Sequence, residues 1–351
     1  MRAEARGILM TVLDGAAPAH ERGARSRTLA GLALAGLVAA GAVGWLRPGE
    51  AVPMLDVEAG GDAQAAAERY VLPITAPLDQ GDTGLCWVFA TLSMLETNYM
   101  SRHPGVHVEF SRAALQRHAI ADRFRRLVRG EKGEPSEGGL PVEALALVRE
   151  NGLVDRGDFQ DVVNAAPLFA ALEGTLAQSA EARRKEQEIE NAVASTLGAP
   201  PPATHLEGQP VSPAALASAA LGGEAWAEYD LSRDGSDGWG PSRDPDARPE
   251  TRVRYVTLDK LIGLIRRSLA RGEAAVVGTA DHALLVYGAD YDRSGKPLAY
   301  LVKDSFAPYL YRADPDDLHR RLNDVTVSFD GAQPQWAGDP AQTLSAGAGA
   351  L

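Results

Sequence analysis

Residues 79 to 90 read DQGDTGLCWVFA, and Cys86 within them is the only cysteine among 351 residues. A cysteine retained as a small buried hydrophobe belongs inside an apolar run. Here a turn-rich stretch of Gly and small polar residues leads straight into Trp87, Val88 and Phe89, with Cys86 at the junction. Beyond it, Val88, Phe89, Leu92, Leu95 and Tyr99 recur at helical spacing, which predicts a mostly buried helix with Cys86 in its first turn. Unpaired amide N–H groups and the positive end of the helix dipole support a thiolate there. The placement predicts a reactive thiol.

Working outward, helices are predicted at 111–128, with Ser111 as N-cap, at 141–151, with Pro141 in the first turn and Gly152 as cap, and at 257–271, where Leu258, Leu261, Ile262, Ile265 and Leu269 share a face. The pattern then changes to short apolar runs at 274–280, 282–290 and 298–305, the last two joined by the turn-forming DRSGKP. The chain therefore reads as helical first and stranded later, an α+β class. Residues 168–197 read as helical, 199–213 are proline-rich, and 232–250 carry few apolar residues, so 174–250 is set apart by composition as an insertion.

A thiolate nucleophile needs a base for its proton, a group to hold that base, and donors for the oxyanion formed on attack. His282 opens one apolar strand, preceded by Asp281, and Asp304 ends its hairpin partner, so the two can lie side by side with the imidazole facing Cys86. Gln80 precedes Cys86 by a glycine-containing loop that can fold back, offering its amide beside the Cys86 backbone N–H.

With these residues in view, DQGDTGLCW resembles the nucleophile segment of the papain-like cysteine peptidases, DHALLVYG their histidine strand, and VKDSF the segment carrying the third residue. EGGLPVEALALVRENG is similar to the segment whose glycine pair, here Gly138 and Gly139, binds extended substrate. The resemblance covers about 71–172 and 251–330. It implies a two-lobe fold, a helical left lobe with Cys86 and an antiparallel, β-barrel-like right lobe with His282 and Asp304. It also implies peptide hydrolysis through a thioester, an oxyanion site at Gln80, substrate contacts at Gly138, Gly139 and Asp281, and an aromatic shield at Phe306. Three departures stand out: Asp304 where the family usually has Asn, Phe306 where it has Trp, and Leu85 before the nucleophile. They motivate the alternative of a catalytically inactive peptide-binding module, beside an amidase or acyltransferase using the same three residues. Thr83 stands where a disulfide cysteine is often found, so the chain resembles more closely the disulfide-free, bleomycin-hydrolase-like bacterial branch. No segment long enough for the usual inhibitory propeptide separates the apolar run at 28–46 from Gln80, so any latency is expected from the insertion, which is predicted to cap the cleft, or from a partner.

The net charge of −12 and the absence of a basic stripe exclude nucleic acid as a partner class. Residues 28–46, TLAGLALAGLVAAGAVGWL, form an uncharged run long enough to span a membrane, with Arg22, Arg25 and Arg27 before it. The expected organisation is a cytoplasmic tail at 1–27, a transmembrane signal anchor at 28–46, a tether at 47–70, a peptidase domain at 71–330 and a flexible tail at 331–351. The domain would then lie outside the cytoplasm, in a bacterial periplasm or at the cell surface. Cleavage near Ala40-Gly41-Ala42, giving a secreted protein, is the alternative. No cofactor or metal is expected: there is no phosphate-binding glycine loop, and Pro104 and Gly105 break any helix that would pair His103 with His107.

Overall fold

The computed structural model describes residues 66–329, apart from 132–135, 160–164, 179–180, 246 and 307. The membrane segment expected at 28–46, the tail at 331–351 and most of the tether lie outside the described residues. Among those described, no helix is long and apolar enough to cross a membrane.

In chain order the elements are β1 (Glu68–Val71), α1 (Cys86–Arg102), α2 (Arg112–Val128), α3 (Pro141–Asn151), α4 (Ala166–Gln178), α5 (Ala182–Leu197), β2 (Thr204–Leu206), β3 (Gln209–Val211), α6 (Pro213–Leu221), β4 (Ala225–Leu231), β5 (Gly238–Pro241), β6 (Arg252–Val256), α7 (Leu258–Ala270), β7 (Ala275–Gly278), β8 (Ala283–Tyr291), β9 (Pro297–Asp304), β10 (Tyr309–Ala313), α8 (Pro315–Arg321) and β11 (Asp324–Phe329). The helices predicted around 111, 141 and 257 form within a residue of their expected bounds. Ser111 caps α2 by accepting the Ala114 N–H at 3.0 Å, as a serine at that position should.

Every residue of α1 from Trp87 to Met100 is buried, polar ones included. The cause is double coverage: α3 and α6 pack against one side of α1 and β8 against another. Glu96, fully buried, is satisfied by the Phe110 N–H (2.7 Å), the Thr75 hydroxyl (2.7 Å) and the Arg112 guanidinium. Lys303 of β9 donates to the same Thr75 hydroxyl at 2.7 Å, so one buried polar chain links the helix to the sheet. Burial holds the Lys303 ammonium down to about 8.

Nine strands form one sheet in the order β10-β9-β8-β7-β11-β4-β6-β5, with β1 added on β8. β4 and β6 run parallel and the other neighbours antiparallel. The lobe expected to be an antiparallel barrel is thus a mixed sheet with β10 and β5 at its ends. Alternation along β8 sends Ala283, Leu285 and Tyr287 toward α1, and Leu284 and Val286 toward a second core under α7. A bulge at Tyr287 then shifts the register, placing Ala289 and Tyr291 in that second core.

The stretch set apart by composition is built into this frame at several points. α4 and α5 pack on α2 through Leu168, Leu172, Ile189 and Val193, α6 lies in the core around α1, and β4 sits between β11 and β6. Strand β1 begins inside the segment read as tether.

Candidate active site

Cys86 is the first residue of α1 and is partly exposed. The turn before it is set by Asp79, whose carboxyl accepts the Gly81 N–H at 2.7 Å, and by Gly81 itself at φ +59°, a conformation glycine adopts without strain. At the start of a helix the first amide N–H groups have no partner within the helix, which leaves the Cys86 N–H without an intrahelical acceptor.

His282 immediately precedes β8 and Asp304 ends β9, and the antiparallel register brings these two strand ends together. The His282 backbone carbonyl accepts from both the N–H (2.8 Å) and the hydroxyl (3.1 Å) of Thr279, which fixes the turn before the strand. The ring's Nε2 lies 2.8 Å from Asp304 Oδ1, which leaves Nδ1 as the ring's second nitrogen, and Cys86 is close enough to act on the imidazole's charge. Burial works against the charged ring. The bond to Asp304 and then the neighbouring Cys86, with the charges behind them, prevail and push its pKa up to about 9. Asp304 is likewise opposed by burial, but bonds from His282 and from the Phe306 N–H (2.9 Å) hold its carboxyl below the ordinary value.

Gln80 is buried and doubly latched to the residue after Asp304. Its backbone N–H donates to the Ser305 carbonyl at 2.9 Å, and the Ser305 hydroxyl donates to Gln80 Oε1 at 2.7 Å. One N–H of the side-chain amide donates to the Thr83 carbonyl at 2.7 Å, and an amide nitrogen carries a second. Phe306 stands edge-on to His282, with ring centroids 5.9 Å apart at 73°, while remaining 70% exposed. It covers one side of the imidazole rather than enclosing the His282–Asp304 bond. Asp281 is exposed in the turn before His282.

Gly139 faces the Trp87 indole so closely that an added Cβ would lie 2.8 Å from the ring, a contact that excludes any larger residue without rearrangement. The Gly138 carbonyl accepts from Arg123. Sequence reasoning passed over Ser305, Arg123 and Glu137, although Ser305 and Glu137 each adjoin a residue it had singled out. His103 bonds the Tyr99 carbonyl and His107 bonds Glu109, and no cluster of metal-ligating side chains occurs among the described residues.

Helices packed on a mixed sheet, with Cys86 at a helix start and His282 and Asp304 at neighbouring strand ends, give an α+β fold that matches the papain-like cysteine proteases. Among solved structures it is matched by PepW from Lactobacillus rhamnosis HN001, at TM-score 0.63 and 14% identity, over 76% of this chain and 83% of that one. Two further matches are xylellain, a cysteine protease from Xylella fastidiosa (TM-score 0.34, 11% identity, 76% and 87% of the two chains), and the bromelain protease from Ananas comosus (0.34, 13%, 75% and 94%). At scores this low the last two add nothing to the fold assignment. No protein-family model matches the sequence, and no curated protein matches it significantly. At 14% identity the likeness is one of fold, and the chemistry has to be argued from this chain's own side chains.

Proposed function

We propose that this chain is a cysteine peptidase in which Cys86 is the nucleophile, His282 its acid–base partner and Asp304 the group that orients the imidazole. The observation that carries the reading is the setting of His282, bonded to Asp304 through Nε2 and near enough to Cys86 for that residue to help raise its pKa. Cys86 gives its proton to His282, and the thiolate attacks the scissile carbonyl carbon, forming a C–S bond as the carbonyl electrons move to oxygen. The Cys86 N–H and the free N–H of Gln80 receive that oxyanion. Its collapse breaks the C–N bond while His282 protonates the leaving amine. Water, giving a proton to His282, then hydrolyses the thioester and restores the thiol. The backbone of Gly138 and Gly139 and the Asp281 carbonyl would hold the substrate extended by main-chain pairing.

The single cysteine and Thr83 support a disulfide-free relative of the bleomycin-hydrolase-like kind. The apolar run at 28–46 supports a membrane anchor with the catalytic domain outside the cytoplasm. Release of the intact chain from membranes by alkaline carbonate would count against that anchor.

Labelling and turnover test the chemistry. Wild-type protein should hydrolyse unstructured peptides and be modified at Cys86 by an epoxide inhibitor, and His282→Ala should lower both rates by roughly 100-fold or more. Slow labelling that is equal in both forms would instead describe an inactive binding module. Turnover confined to non-peptide amides would remove the peptidase assignment.

A further inference from the structure

Two loops must keep a fixed separation if a peptide is to lie across Cys86: the turn that presents the sulfur and the segment carrying Gly138 and Gly139. With one cysteine in the chain, no disulfide can tie them. Glu137 touches both. It directly precedes the glycine pair, and its carboxyl Oε2 accepts the N–H of Gly84, two residues before the nucleophile, at 2.8 Å. Its backbone carbonyl accepts the indole N–H of Trp87, the residue after the nucleophile, also at 2.8 Å. The fit is tight on both sides of these bonds. An added Cβ at Gly84 would lie 3.0 Å from the Glu137 Cβ, and one at Gly139 would meet the Trp87 ring. The far side of the segment is fixed by Arg123 at the Gly138 carbonyl.

We propose that Glu137 is a positioning residue: it bridges the loops on either side of Cys86, holding the glycine pair where an extended peptide can pair with it. This deepens the peptidase reading and rests on it. Glu137 bonds Gly84 and Trp87 and neither the sulfur nor the imidazole, so it acts on substrate binding and leaves the reactivity of the thiol alone.

The test compares wild type, Glu137→Ala and Glu137→Gln as full chains, using a fluorogenic peptide and, separately, iodoacetamide, which is too small to need the glycine pair. Glu137→Ala should raise KM about tenfold with kcat changed by less than about threefold, while the alkylation rate of Cys86 stays within about twofold. Glu137→Gln keeps an oxygen acceptor for Gly84 and should restore KM to within about threefold of wild type. An unchanged KM in Glu137→Ala, parallel losses of kcat and alkylation rate, or a Gln variant no better than Ala would overturn the proposal. Failure of the peptidase reading shows itself differently, as wild-type protein alkylated at Cys86 that turns over no peptide. In that event, binding of a fluorescent peptide to Cys86→Ala with and without Glu137→Ala reads the bridge. A tenfold loss of affinity supports it, and equal or absent binding overturns it.

Discussion

At the level of single residues, the decisive group for the proposed chemistry is His282, because its charge is what that reading requires. Its folded-state pKa is raised to about 9, so the imidazolium persists through neutral pH and is lost as pH climbs through that value. The same sign governs stability: the contribution of this charge is fully present below the unfolded histidine value of about 6.5 and disappears as pH rises through 9. Asp304→Ala should therefore move the alkaline limb of the kcat/KM profile to lower pH and reduce kcat/KM by roughly 10- to 1000-fold. An alkaline limb that stays in place would mean that Asp304 does not set the charge of the ring. The sequence made Cys86, His282 and Asp304 legible because each sits within a short, distinctive block. Ser305 and Glu137 escaped notice because a serine in a turn and a glutamate before two glycines look ordinary until the partner loop is known.

Among elements, α1 shows why local pattern understates burial. Its apolar residues mark one face, yet Glu96, Thr97 and Asn98 are also buried, since the helix is covered by other helices and by the sheet. Nothing in a helical period announces that a glutamate will find Arg112 in the next helix and Thr75 just after β1. Removing one partner of such a buried pair leaves an uncompensated charge, whereas removing both is far less costly. Arg112→Met should cost about 3–5 kcal/mol in urea unfolding, with Arg112→Met/Glu96→Gln, which keeps an acceptor for the Phe110 N–H, recovering part of it. A double variant as unstable as the single would show that the guanidinium works by packing alone. Strand β4 was equally illegible: composition separated its neighbourhood from the rest, while its pairing with β11 and β6 depends on partners far along the chain.

Across the whole molecule, the sheet gathers acids where strand ends converge. Asp324 faces Asp230 across β11 and β4, Glu228 lies opposite Thr326, and all three carboxyls are pushed above their ordinary values, first by burial and then by neighbouring acids, Asp244 among them. The native state thus holds protons that the unfolded chain has already released. Stability from these groups is greatest near pH 4 and falls as pH rises toward 8. Asp324→Asn should raise stability at pH 8 by roughly 1–3 kcal/mol and change it little at pH 4. Urea titrations at both pH values check this, and an equal effect at the two would sink it. The count of one sulfhydryl has a consequence at this scale too. Peroxide attack on a thiolate yields a sulfenic acid, which many proteins rescue by condensing it with a resolving cysteine. This chain has no second thiol to offer. Its recovery from oxidation therefore falls to reductants in its surroundings, and wherever those are scarce, over-oxidation to the sulfinic acid sets the working lifetime of the molecule.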